Sequence, residues 1–86
     1  MGVITLLNTL KAADKVVGLK QSHRAVKSGR ALRAYMAADA EERITKPFAE
    51  SCAEAGVELV VADTMSMLGE ACGVKVGAAV AVELKP

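Results

Sequence analysis

Residues 57–73, Val57-Glu58-Leu59-Val60-Val61-Ala62-Asp63-Thr64-Met65-Ser66-Met67-Leu68-Gly69-Glu70-Ala71-Cys72-Gly73, read as a strand, a cap, a helix and a helix stop. The β-branched run Val57–Ala62 predicts a buried strand. Asp63 or Thr64 supplies an oxygen for the first N–H groups of a helix over Met65–Cys72, and Gly73 closes it. Downstream, Val74–Gly77 reads as a loop and Ala78–Leu84 as a last strand. Upstream, a helix ends at about Ala55 against Gly56. It follows a turn at Asp39-Ala40-Glu41-Glu42, and Pro47 is expected in its first turn, where a missing N–H costs little.

The same pattern continues toward the N-terminus. Arg33–Ala38 alternates and predicts a strand. Lys20–Ser28 has a helical period, with Ala25 and Val26 inward, Lys20, Arg24 and Lys27 outward, and Gly29 as its stop. Lys15-Val16-Val17 is a short β-branched run halted by Gly18. Val3, Leu6, Leu7 and Leu10 follow the i, i+3, i+4, i+7 rule and predict a first helix over roughly residues 3–13. The order α-β-α-β-α-β-α-β predicts helices on both faces of one central sheet. At 86 residues the chain is one domain, 1–86, with no visible repeat or linker.

Composition narrows the function. Aromatic residues are 2% of the chain, Tyr35 and Phe48 with no Trp, which argues against modules that stack bases on aromatic side chains. The net charge of +1 conceals a division. Residues 1–36 hold seven cations and one acid, a balance of +6; residues 37–86 hold four cations and nine acids, a balance of −5. Such polarity fits either a solvated face or an anionic partner. Cys52 and Cys72 lie too far apart for a redox pair or a zinc knuckle and read as buried reduced thiols, as in a cytoplasmic protein. The uncharged run Met1–Leu10 is half the length of a membrane span, so no membrane is expected as partner.

Enzyme signatures such as GxSxG, Walker A, GxGxxG and HExxH are absent. His23 is the lone imidazole, beside Arg24 on a polar helix face, and no catalytic residue, metal or cofactor is expected. Two other segments stand out. In Gly18-Leu19-Lys20-Gln21-Ser22-His23-Arg24, Leu19 occupies the expected N-cap and cannot cap. The orphan N–H groups there must meet water or a ligand, and Lys20 and Arg24 make that end suit a phosphate or a base edge. Gln21 offers a donor and an acceptor. An uncapped helix with ordinary surface cations is the plain alternative. In Leu68–Ala79, Val74 and Val76 stand on a glycine-bounded loop; they either fold back on the core or pack against an unstacked base, and the small residues allow a close approach.

These two segments resemble the kink-turn-binding ribosomal protein family of the L-seven-Ae and L-thirty-e type, nearest its small bacterial, YbxF-like branch. Gly18-Leu19-Lys20-Gln21-Ser22-His23-Arg24-Ala25 matches its motif Gly-x-Asn/Lys-Glu/Gln-x-x-Lys-Ala. Leu68 to Val76 matches Leu-Gly-x-Ala-Cys/Ala-Gly-hydrophobic-x-Val. The resemblance runs from about Leu10 to Leu84. It implies a three-layer α-β-α sandwich on a central four-stranded mixed sheet, and a single RNA-binding domain.

The resemblance also implies a function: recognising and stabilising kink-turn or kink-loop RNA, as a monomer, with the ribosome as one setting. By motif position the RNA-binding residues are Gly18, Lys20, Gln21, Arg24, Val74, Lys75 and Val76. Lys20 and Gln21 would meet guanine edges, Arg24 a guanine or a phosphate, and Val74-Lys75-Val76 would cover an extruded nucleotide. Archaeal and eukaryotic members usually carry Asn-Glu at Lys20-Gln21, and bacterial relatives often carry Glu at Lys75. The neutral Gln21 amide accepts less strongly than a carboxylate, and the two lysines imply steeper salt dependence. The competing expectation is a protein-interaction module of the ribosome or another ribonucleoprotein, without kink-turn specificity.

Overall fold

The protein is described by a computed structural model covering residues 2–86. Among the described residues, four helices alternate with four strands: α1 Val3–Ala12, β1 Lys15–Val17, α2 Leu19–Lys27, β2 Ala31–Ala37, α3 Glu42–Ala55, β3 Leu59–Ala62, α4 Met65–Cys72 and β4 Val80–Leu84. The strands form one sheet in the order β1-β4-β2-β3. β4 runs antiparallel to both neighbours, and β2 pairs parallel with β3. The sheet is therefore mixed, as expected.

Burial in β4 sets the layers. Val80, Val82 and their neighbour Ala34 in β2 pack against Ala25 and Val26 of α2 and Phe48 and Cys52 of α3. Ala81, Tyr35 and Val60 pack against Leu6, Leu7 and Leu10 of α1 and Leu68, Ala71 and Cys72 of α4. Alternate residues of one strand thus enter two different cores, one on each face. This is why the last strand reads as a continuous apolar run. The two thiols are buried on opposite faces of the sheet and unpaired. Burial pushes both upward in pKa, away from the reactive thiolate.

A polar strut crosses the core under α1 and α4. The fully buried Tyr35 hydroxyl lies 3.1 Å from the Leu6 carbonyl oxygen and 3.0 Å from Glu83 Oε1, able to donate to either. Arg33 donates to Glu83 Oε1 at 3.1 Å and to Glu58 Oε1 at 2.9 Å. The Glu83 carboxylate is buried and tolerable there because both neighbours offer donors. Burial raises the Tyr35 pKa to about 12.

Several local expectations need correction. β3 is an edge strand rather than a buried one: Val60 and Ala62 face inward while Val61 is exposed. It begins at Leu59, β2 begins two residues before Arg33, and β4 begins at Val80 rather than Ala78. The Pro47 expectation also fails. Helix α3 starts at Glu42, so Pro47 is its sixth residue and lies inside the helix. With no N–H there, the Arg43 carbonyl loses its partner along the helix. The earlier turns hold without it: Ile44 and Thr45 N–H donate to the Glu41 carbonyl. The α4 cap is Thr64, whose Oγ1 accepts from Met67 N–H at 3.0 Å. Asp39, distant in sequence, adds a second acceptor for Met65 N–H at 2.7 Å.

Candidate nucleic-acid interface

The site is built at one end of the sheet. β1 pairs with β4 through Val17 opposite Ala81. One step further, Gly18 N–H donates to the Val80 carbonyl at 3.1 Å. That bond ties the start of α2 to the exit of the loop that leads into β4. Gly18 itself is the N-cap, with φ 97° and ψ 154°. Few side-chain-bearing residues adopt that conformation, so a glycine is needed where the chain turns from strand to helix. Leu19 is accordingly the first helical residue, not the cap.

The start of α2 is uncapped. No side chain bonds to it, and Ser22 N–H is the first to reach a helix acceptor, the Gly18 carbonyl at 2.9 Å. The N–H groups before it leave a partial positive charge at this end. Lys20, Gln21 and Arg24 are all exposed here. Lys20, Arg24 and Lys27 follow one outer stripe of a helix whose inner side buries Ser22, Ala25 and Val26. His23 turns instead toward α3, its Nε2 lying 2.8 Å from Ser51 Oγ.

Not every cation of the basic half contributes. Arg33 is held between the exposed Glu58 and the buried Glu83. Lys15 Nζ donates to the Lys11 and Ala13 carbonyls, capping the C-terminal end of α1. The positive surface is thus concentrated on α2.

The second segment folds back along α4. Ala78 N–H donates to the Met65 carbonyl at 3.0 Å, and Val74 N–H to the Gly69 carbonyl at 3.0 Å. A β-carbon at Gly69 would lie 2.3 Å from the Val76 carbonyl oxygen, and one at Gly77 2.9 Å from Met65 Cβ. The glycines therefore serve a close approach, but the surface approached is the protein's own helix. With the loop backbone held down on α4, its side chains point away. Val74 is 36% and Val76 75% exposed, and Lys75 is exposed between them. Of the two readings open for these valines, folding back on the core is not the one observed.

Sequence reasoning had no means of finding two of the supports. Asp39 and Met65 meet only because β2 and β3 are parallel neighbours. Gly69 looks like any helix glycine until the loop is placed against it. Among the described residues, no group of His, Cys, Asp and Glu could hold a metal ion, and no helix is long and apolar enough to cross a membrane.

The architecture is a small three-layer α-β-α domain with a cationic helix end lacking a side-chain cap at the same end of the sheet as an exposed apolar loop. Residues 3–86 match the Ribosomal protein L7Ae/L30e/S12e/Gadd45 family. The chain belongs to this family. It is 44% identical over 70 residues to an RNA-binding protein of Caldanaerobacter subterraneus subsp. tengcongensis, covering 81% of this chain and 85% of that relative. It is 38% identical over 76 residues to the RNA-binding protein YbxF of Geobacillus stearothermophilus, covering 88% and 93%. Its structure is similar to that of the Giardia lamblia 15.5kD RNA binding protein, with a TM-score of 0.88 and 30% identity over 96% of this chain and 73% of that one.

Proposed function

We propose that this chain binds RNA and recognises the kinked geometry of kink-turns or kink-loops. The observation that carries the reading is the Gly18 N–H bond to the Val80 carbonyl, which joins two unlike surfaces at one end of the sheet. One is a positive helix end with Lys20, Gln21 and Arg24; the other is the apolar, cationic loop Val74-Lys75-Val76. An ordinary RNA duplex cannot use this pair well, because its major groove is too deep and narrow for side chains to read. A kinked duplex opens that groove and unstacks a nucleotide. The helix end then reaches base edges while the loop covers the unstacked base. RNA-binding relatives and the Giardia structure support the coarser part of the reading.

The chemistry is binding alone. The protein would stabilise the kinked conformer by its differential affinity for it over the extended one. Lys20, Arg24, Lys27 and Lys75 supply attraction to phosphates, and Gln21 supplies base-edge discrimination. The test is a titration of a labelled kink-turn RNA against the same RNA with its two G·A pairs changed to Watson–Crick pairs. At least about tenfold weaker binding to the second, roughly 1.4 kcal/mol, is the expected result. Equal binding to both would reduce the site to a basic surface and favour a protein-interaction module instead.

A further inference from the structure

Leu19 is a partly exposed leucine at the start of α2. It is 42% accessible at the first position of α2. It joins neither core, and the same is true of Val74 and Val76. Other partly exposed apolar residues nearby, such as Val16 and Val17, do pack on a core. Leu19 is not needed to start the helix either. Gly18 provides the cap conformation, and a leucine side chain has no acceptor to offer. A single exposed apolar side chain is ordinary, and Ile4, Leu32 and Val61 are as exposed as Leu19 or more so. What marks Leu19 is its place, between the Gly18 cap and the exposed Lys20-Gln21 pair and at the same end of the sheet as the exposed Val74 and Val76.

The geometry points to Leu19 as a further RNA-contacting residue, one that packs its side chain against the apolar face of the nucleotide unstacked at the kink. The inference rests on the proposed RNA-binding site and deepens it. The Gly18–Val80 bond holds Leu19 at the same end of the sheet as the loop bearing Val74 and Val76. The nucleotide would thus meet apolar surface from the helix start as well as from the loop. The flanking cations Lys20 and Lys75 hold its phosphates. The face of a base is a sequence-tolerant apolar surface, so this contact adds affinity for an extruded nucleotide without reading its identity. It is also uncharged, so its contribution should be independent of salt, in contrast to that of Lys20.

The test is a cycle of one protein change and one RNA change. Leu19→Ser should bind the kink-turn about fivefold more weakly than wild type. Its melting temperature and the slope of affinity against salt should stay unchanged, and Leu19→Met should keep wild-type affinity. Making the extruded nucleotide abasic should weaken wild-type binding and abolish the difference between wild type and Leu19→Ser. Full affinity in Leu19→Ser, or an undiminished difference on the abasic RNA, would overturn the contact. Failure of the underlying site would look different: wild type itself would bind the kink-turn and the Watson–Crick control equally.

Discussion

Gly69→Ala is the change that ties the fold most directly to the proposed site. The added β-carbon would lie 2.3 Å from the Val76 carbonyl oxygen and 3.1 Å from Gly77 Cα. Both are backbone atoms, so no side chain can rotate out of the way. Ordinary contact requires the loop to lift by about 1 Å. Overpacking of this kind costs about 1–3 kcal/mol, and the backbone obstacle places it at the upper end. Alanine returns about 1 kcal/mol as the better helix former. The net loss is about 2 kcal/mol, which in a domain of this size lowers Tm by roughly 8–16 °C. Lifting the loop also strains the Val74 N–H bond to the Gly69 carbonyl and moves the exposed valines. Thermal melts followed by circular dichroism read the first effect, and the kink-turn titration below the lowered Tm reads the second. A variant that melts with wild type and binds RNA equally well would refute the claim that the loop rests on this glycine.

Three further expectations follow from the same geometry. Gln21→Ala, from lost base-edge hydrogen bonding, and Arg24→Ala, from a lost guanine or phosphate contact at the helix end, should each weaken kink-turn binding roughly tenfold; Lys27→Ala and Arg30→Ala should act mainly through salt-dependent attraction, and equal losses at all four positions would contradict a defined helix-end site. Pro47→Ala should raise stability by about 2 kcal/mol in urea unfolding, because an interior proline costs a helix about 3 kcal/mol and its stiffening of the unfolded chain offsets up to about 1 kcal/mol; a variant no more stable than wild type would show that α3 has already absorbed the defect. The Tyr35 hydroxyl, raised to about 12 from an ordinary value near 10, holds its proton more tightly folded than unfolded. Its contribution is complete below about pH 10 and is lost as pH rises through 12, by roughly 2–3 kcal/mol. Urea midpoints across that range should fall less steeply for Tyr35→Phe, and parallel curves would refute the assignment.

The alternation of elements was legible because each carried its own local signal. Glycines at 29, 56 and 73 follow the ends of α2, α3 and α4, and all three have positive φ. The 3.6-residue period marked the buried faces of α1 and α2, and β-branched runs marked β1 and β3. Boundaries were less legible. Pro47 was expected at a helix start because local propensity strongly disfavours it inside. Burial of Thr45, and packing of Phe48 and Cys52 in the core beneath the helix, carry the helix through regardless. β3 has the composition of a buried strand, yet nothing local states which strands acquire two neighbours.

The sequence by itself determined the class of fold, the two buried thiols and the exposed residues of the α2 stripe, since period, glycine position and charge act over a few residues. It also carried both motifs, one on a helix start and one on a loop. Only the tertiary structure decided that the two lie at one end of the sheet, because that depends on β4 running antiparallel between β1 and β2 and on one hydrogen bond from Gly18 to Val80. It alone decided that the loop glycines face α4, turning Val74 and Val76 outward, and that Arg33 and Lys15 are spent on internal partners. These are contacts between residues far apart in the chain, whose energies depend on where the sheet brings them.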